Sequence, residues 1–378
     1  MDGKSIAPRP RGESRIVVCL LLFFLIPWLA SAETRIVVFT PTTEGNTYWP
    51  QVYEILDAAA EDLGVELLGF EFDVVDRFAK ADEGVEILRS LPAVHGAIFS
   101  VAFGQTEPLL DAARELDIPV MIQGPLFDAE LPALGFAPRR RYENWIGTFR
   151  EDEHGKGYRL GRLLIARATE LGLHGDDGHI HVAGVGGDPS WFGSRQRADG
   201  LLQAVEAAPQ ARLLQVVPTQ WTQDEGAEIT RLLLERYRDL GVLWAASDQL
   251  AIGATAAAQE AGLTVGSDVV LGGLDLSRRG LEEVAAGSLT ATVASPLFIY
   301  AEVLIYLYDY IHGFDFATRL GTEIVFAVEE ATTESAAEYL RLYDDVRGID
   351  YSDYSRAHNP ELERYEFPWN GAAGVDAR

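Results

Sequence analysis

Hydrophobic and polar positions along the chain alternate between short apolar runs and longer amphipathic stretches. Arg35–Thr40 (RIVVFT) is a near-continuous apolar run of strand length. Pro50–Leu63 follows with apolar residues at Val52, Ile55, Leu56, Ala59 and Leu63, the spacing of one helix face. The order then repeats, with Glu66–Phe72 as strand, Ala81–Ser90 as helix, Gly96–Val101 as strand, Glu107–Leu116 as helix and Pro119–Gln123 as strand. After Trp145 the rhythm restarts. Gly157–Leu171, Arg195–Ala207, Asp224–Tyr237 and Asp248–Ala261 read as helices, and His179–Gly184, Arg212–Val217, Gly241–Ala245 and Val269–Gly273 as the strands between them. Strands separated by helices predict parallel sheets covered on both faces. Two such series predict an α/β fold of two doubly wound parallel-sheet lobes. Ligands in sheets of this kind sit beyond the carboxyl ends of the strands, so residues just past those ends are the functional candidates.

The last part has a different pattern. Leu297–Ile311 is a long apolar helix and Glu323–Val328 one more strand. Residues 332–378 form an aromatic-rich extension with Tyr339, Tyr343, Tyr351, Tyr354, Tyr365, Phe367 and Trp369. So many large rings are not the composition of a free tail, and the extension is expected to pack on a lobe or on a partner.

The amino-terminal end reads as an export signal. Lys4, Arg9, Arg11 and Arg15 precede an apolar run from Ile16 to Leu29, and Ala30-Ser31-Ala32 supplies a small-x-small site, so cleavage is expected after Ala32. The run is short for a transmembrane helix. Cys19 lies inside it, preceded by Val18, which is not a lipoprotein arrangement; cleavage would remove the chain's one Cys and leave no need for disulfide chemistry in an oxidising compartment. The expected location is the periplasm.

Charge narrows the function. The 378 residues carry 31 basic and 58 acidic groups, a net charge of −27; loss of residues 1–32 takes away four basic and two acidic groups, leaving −29. An acidic surface repels phosphate backbones, which argues against a nucleic-acid partner. No Cys/His spacing suggests a zinc module. The Glu151-Asp152-Glu153-His154 run is better explained as the solvated first turn of a helix than as a metal cluster. His179 and His181 share a strand face without an evident third ligand. Gly184-Val185-Gly186-Gly187 has no following Gly-Lys-Ser/Thr and reads as a turn. G-x-S-x-G, H-E-x-x-H and dinucleotide fingerprints do not occur, and Lys4, Lys80 and Lys156 are the only lysines. No metal, cofactor or catalytic role is expected.

The stretch Ser247–Asp275 (SDQLAIGATAAAQEAGLTVGSDVVLGGLD) resembles a family signature, the (N/S)-D-x-x-A-x-G helix and G-(F/L)-D strand end of type I periplasmic sugar-binding proteins, ribose-binding-protein-like solute-binding proteins of ABC transporters. Their fold is shared with the effector domains of Lac-repressor-like regulators. Three further matches follow the family order: Asn46-Thr47-Tyr48-Trp49, the Arg195-x-Arg197-x-x-Gly200 helix start and Ala291-Thr292-Val293. The resemblance covers roughly residues 35–330. It implies two lobes joined by three crossovers, placed near Ile146–Arg150, Ser295 and Glu323–Val328. The N-terminal lobe would then be 33–148 plus 296–323, and the C-terminal lobe 149–295 plus 324–331.

Carried over residue by residue, the resemblance implies that Tyr48 and Trp49 stack on one face of a ligand ring and Trp221 closes the other side. Arg195 would donate to ligand hydroxyls and Asp275 accept from them. Ser100, Gln123, Ser247 and Ser295 occupy further site positions, but depart from the family: Ser100 and Ser247 stand where Asn is frequent, Ser295 where Gln is usual, and Gln123-Gly124-Pro125 where Asp-Arg is typical. An aromatic-walled site short of hydroxyl partners suits a smaller or less hydroxylated ligand. Trp191-Phe192 either covers the cleft or packs its loop, Asn144-Trp145 is expected to pack near the first crossover, and Asp248 to cap the helix that follows it. The expected function is capture of a sugar-like solute for the membrane permease of an ABC importer. The alternative is a ligand-binding subunit for a membrane sensor kinase recognising an autoinducer- or methylamine-N-oxide-type ligand.

Overall fold

The computed structural model describes residues 34–41, 45–72, 77–100 and 102–370; the basic leader, Cys19 and the expected cleavage site after Ala32 lie outside the described residues. The first half contains β1 (Thr34–Pro41), α1 (Tyr48–Leu63), β2 (Val65–Phe72), α2 (Arg77–Ser90), β3 (Gly96–Phe99), α3 (Thr106–Glu115), β4 (Val120–Gln123), α4 (Leu131–Leu134) and β5 (Trp145–Glu151). The series continues with α5 (Glu153–Leu171), β6 (Ile180–Gly186), α6 (Phe192–Glu206), β7 (Ala211–Pro218), α7 (Gln223–Arg236), β8 (Leu240–Ala245), α8 (Asp248–Glu260), β9 (Val270–Leu274), α9 (Arg278–Ala285) and β10 (Ala291–Ala294). Last come α10 (Ile299–Ile311), α11 (Ala317–Leu320), β11 (Glu323–Phe326), β12 (Glu329–Thr332) and α12 (Ala336–Asp344).

These elements form two six-stranded sheets, ordered β11-β5-β4-β3-β1-β2 and β12-β10-β9-β8-β6-β7. Every pairing is parallel except β10 with β12. The near-continuous apolar strands follow from this geometry, because a central parallel strand is covered on both faces. Ile36, Val37, Val38 and Phe39 of β1 are all buried. One face of the first sheet packs on α1 and α10, and the other carries a cluster built from Val37, Phe99, Leu109, Leu110, Tyr142 and Trp145. Trp145 is therefore a core residue at the start of β5, at the opposite end of the strand from the crossover.

The first crossover lies slightly later than expected. Residues 146–150 are strand β5, paired with β4 on one side and with β11 on the other. The first crossover accordingly follows Glu151. The strand β11 belongs wholly to the first sheet and the third crossover is Ala327–Val328, ahead of β12 in the second sheet. Ser295 joins all three: its N–H donates to Glu151 Oε1 at 2.5 Å and its hydroxyl to the Ala327 carbonyl at 2.7 Å.

The aromatic extension packs on both lobes. Helix α12 lies against α9 and β12 of the second lobe, and Tyr343 donates its hydroxyl to the Leu276 carbonyl at 2.8 Å. Beyond it the chain moves onto the first lobe. Buried Asp309 of α10 accepts from Ser355 Oγ (2.6 Å), Tyr365 Oη (2.8 Å) and the Arg356 and Ala357 amides (2.8 and 3.0 Å). Trp369 donates Nε1 to buried Glu302 at 2.7 Å. Phe298, at the start of α10, contacts Tyr343 and stacks on Trp369 at 5.2 Å. No helix among the described residues is long and apolar enough to cross a membrane.

Candidate ligand-binding site between the lobes

The loops at the carboxyl ends of both sheets face one another across a cavity of about 160 Å³. Pro41, Asn46, Tyr48, Trp49, Ser100, Ala102, Gln123 and Glu151 line it from the first lobe. Asp188, Trp191, Arg197, Gln220, Trp221, Thr222, Ser247, Gln249 and Asp275 line it from the second.

The first wall is aromatic. Asn46 Oδ1 accepts from the Tyr48 amide at 2.7 Å and from the Trp49 amide at 3.4 Å, which fixes the entry into α1 and aims both rings. Behind them stands Tyr300 of α10, which the sequence analysis did not single out. Its ring lies 5.9 Å from Trp49 and 6.3 Å from Tyr48. Its hydroxyl receives Gln123 Nε2 at 2.8 Å and pairs with Tyr48 Oη at 3.1 Å. Burial raises the pKa of both phenols well above the ordinary value, so they remain neutral donors and acceptors. Ser100 Oγ is buried beside this group with no partner among the described residues.

The second wall is charged. Trp221 sits at φ 72°, and its ring lies so close to Gly187 that a Cβ there would come within 1.9 Å of it. Trp191 lies 6.1 Å from Trp221. The Arg197 guanidinium is 5.1 Å from the Trp191 ring and 5.7 Å from the Trp221 ring. Arg197 donates Nε to Glu153 at 2.6 Å, and Nη1 to the Ala246 carbonyl at 2.6 Å and Asp275 Oδ1 at 3.3 Å. Burial works against the guanidinium charge, but Glu153 and Asp275 more than offset it. Burial also pushes the Asp275 carboxyl up, to about 7, against the pull of Arg197 and Lys156. Asp275 has φ 126°, a conformation costly for a non-glycine residue and one that clusters at functional sites.

Several expectations are corrected. Of the nine predicted site residues, Tyr48, Trp49, Ser100, Gln123, Trp221, Ser247 and Asp275 line the cavity, whereas Arg195 and Ser295 do not. Arg195 is exposed, donating to the Pro189 carbonyl at 2.9 Å, with its guanidinium over Phe127 of the first lobe at 5.1 Å. Positions two apart on a helix point to nearly opposite sides. The buried stripe of α6 runs through Gly193, Ser194, Arg197, Gly200, Leu201 and Ala204; that periodicity singles out Arg197. Ser295 is a crossover residue, as described above. Glu151 and Glu153 are not a solvated helix turn: Lys156, fully buried, lies 2.8 Å from Glu151 and 3.4 Å from Glu153. The cap of α8 is Ser247, whose hydroxyl accepts from the Leu250 amide, while Asp248 accepts from the amide and hydroxyl of Ser277. His181 is held between Asp177 and Asp239, 3.1 Å from each.

The lobes also touch directly at the rims of the cavity. Gln249 Oε1 accepts from the Thr47 amide at 2.7 Å, and Gln51 Oε1 from the Arg278 amide at 2.8 Å. On the other side Phe192 packs 5.0 Å from Phe127. Trp191 thus lines the cavity while Phe192 packs at its rim.

Two α/β lobes, three crossovers and an aromatic and charged cavity between facing strand ends place the candidate site where open α/β sheets bind ligands. The comparisons with known proteins agree. Residues 36–312 match the profile of a family described as periplasmic binding protein domain, and the chain belongs to that family. The ribose import binding protein RbsB of Escherichia coli (strain K12) is 33% identical over 115 residues, 30% of this chain and 36% of the relative. The chain thus matches little more than a third of the length of the curated relatives it resembles first. A crystal structure of a periplasmic sugar-binding protein from Pseudomonas fluorescens superposes with a TM-score of 0.76 at 23% identity, covering 89% of this chain and 98% of that one. An ABC transporter periplasmic solute binding protein from Actinobacillus succinogenes, with bound D-allose, superposes with a TM-score of 0.69 at 19% identity, covering 81% and 100%.

Proposed function

We propose that the protein is an extracytoplasmic solute-binding protein that captures a single-ring sugar between its lobes and presents the closed form to the permease of an ABC importer. The observation that carries this is the pairing of an aromatic wall, Tyr48 and Trp49, with the Arg197–Asp275 polar wall across one cavity. A sugar ring offers apolar C–H faces to aromatic rings and hydroxyl edges to fixed donors and acceptors. The cavity, about 160 Å³, has room for one small molecule. RbsB is named for ribose import and the Actinobacillus protein was solved with D-allose, both single-ring sugars.

Closure supplies the mechanism. Ligand bound to both walls stabilises the arrangement in which Gln249 meets Thr47 and Phe192 meets Phe127, a population shift driven by differential affinity for the closed state. The leader 1–32 would deliver the protein by export, with cleavage after Ala32. The test is a thermal-shift panel of pentoses, hexoses and polyols. A cleft ligand at a hundred times its Kd adds about 2.7 kcal/mol, enough to raise Tm by several degrees. No shift with any member sinks the sugar reading.

A further inference from the structure

Beyond its three crossovers the chain passes between the lobes once more. Helix α12 is anchored on the second lobe: buried Tyr339 donates to Glu329 of β12, and Arg278 Nη1 of α9 donates to Asp344 at 2.5 Å. The chain is next anchored on the first lobe, where the Tyr351 amide donates to Asp62 of α1 at 2.9 Å. Tyr351 and Trp369 are fully buried there, their rings 5.8 Å apart. Residues 345–350 make the passage. They are folded back on themselves: the Gly348 amide donates to the Asp345 carbonyl at 2.9 Å, Val346 is buried, and its carbonyl accepts from the Tyr351 hydroxyl at 3.1 Å.

This passage lies on one flank of the cavity. Just before it, Tyr343 Oη donates to the Leu276 carbonyl of the second lobe and accepts from the Leu297 amide at 3.3 Å, where the chain enters the first lobe. Arg278, paired with Asp344, also gives its amide to Gln51 of α1, and the Thr47–Gln249 contact belongs to the same flank. The opposite rim is held by Phe192 and Arg195 on Phe127 and by a 3.5 Å hydrogen bond from the Phe103 amide to the Ser190 carbonyl. Among the described residues no passage of the chain lies at that rim.

Widening the α1–α9 flank beyond the slack of residues 345–350 would pull Val346 and the Tyr343 and Tyr351 rings into water, whereas widening the Phe127–Phe192 rim gives up noncovalent contacts between side chains and one long hydrogen bond. We infer that residues 345–350 act as a fourth crossover that holds the α1–α9 flank together, so that the cavity opens one-sidedly and admits its ligand at the Phe127–Phe192 rim. This device needs lobes that open and is indifferent to what they bind, so it can fail while the sugar reading stands, and the reverse.

Pulsed electron–electron distance measurements on the full chain without ligand test it. Cys19→Ser clears the background, and nitroxides are attached at two pairs of exposed positions. Asp128→Cys with Asp199→Cys reports the Phe127–Phe192 rim, and Glu54→Cys with Glu282→Cys reports the α1–α9 flank. In the native-length chain the first pair should give the wider distribution and the second a narrow one. Equal widths, whether both broad or both narrow, overturn one-sided opening. A six-residue Gly/Ser insertion between Gly348 and Ile349 adds up to about 20 Å of reach; the mean Glu54–Glu282 distance should then grow by several ångströms while the other pair changes little. A two-residue insertion, milder for folding, should shift it in the same direction by less. An unchanged Glu54–Glu282 distribution in either folded variant would show that the passage restrains nothing.

Discussion

Both walls of the cavity are made from the same structural device, loops at the carboxyl ends of a parallel sheet, yet they are furnished in opposite ways. The first lobe ties Tyr48, Gln123 and Glu151 to Tyr300, Lys156 and the crossover at Ser295, and lines the cavity with the Tyr48 and Trp49 rings beside Asn46 and Ser100. The second lobe brings a buried guanidinium and carboxylate to the surface of the cavity and surrounds the guanidinium with two Trp rings. Aromatic surface attracts any ring with an apolar face, whereas fixed charges demand a particular edge. Both walls therefore offer aromatic surface, and the second adds the charged pair that fixes orientation.

The most severe way to break this division is Arg197→Ala. It removes the partner of Glu153, a carboxylate that, despite burial, is held ionised by Arg197 and Lys156. Breaking a buried pair of this kind costs about 3–5 kcal/mol. Urea denaturation should show that loss, and titration should show binding weakened at least a hundredfold. A variant of unchanged stability would mean that Arg197 is not integral to the second wall.

A subtler probe is pH. An acid whose native pKa is raised keeps its proton in the folded protein while the unfolded chain releases it above about pH 4. Stability should therefore decline as pH rises from about 4 and level off above 7, the value to which burial lifts Asp275. Glu302, lifted to about 7, and Asp248, lifted to about 6, act in the same direction. Asp275→Asn should flatten the fall in Tm between pH 5 and 8 without abolishing it; an identical slope would contradict the raised pKa.

The smallest effect belongs to Arg195→Ala. Its guanidinium lies on Phe127 across the rim, outside the cavity, and an exposed cation–π contact contributes about 0.5–1 kcal/mol. Ligand affinity should fall two- to fivefold through a less stable closed form. A loss as large as that of Arg197→Ala would show that Arg195 reaches the ligand.

The contrast between these two arginines also shows what was legible in the sequence. The βα alternation was plain because both sheets are central and apolar, and Tyr48, Trp49, Trp221 and Asp275 could be found because each closely follows a strand end. Arg197 was within reach as well, since the 3.6-residue stripe of α6 passes through it. Tyr300 was not. It reaches Tyr48 from α10, 252 residues away in the chain, and its position inside an apolar helix resembles that of any core aromatic. Strand β5 was placed at a crossover by the family resemblance, and its sequence, WIGTFRE, with Thr148 and Arg150 among the apolar residues, carries no strong strand signal against that. Its place in the sheet depends on β11, a segment far downstream.

That distant pairing bears on the order in which the molecule can be assembled. Neither sheet is complete in an unfinished chain: the first waits for residues 323–326 and the second for residues 329–332. Until they arrive, β5 and β10 are open edges, the kind of surface that recruits foreign strands. Both edges are closed by one short stretch of chain, so the two lobes mature together and late, and a product truncated before Glu323 has two unfinished sheets rather than one good lobe.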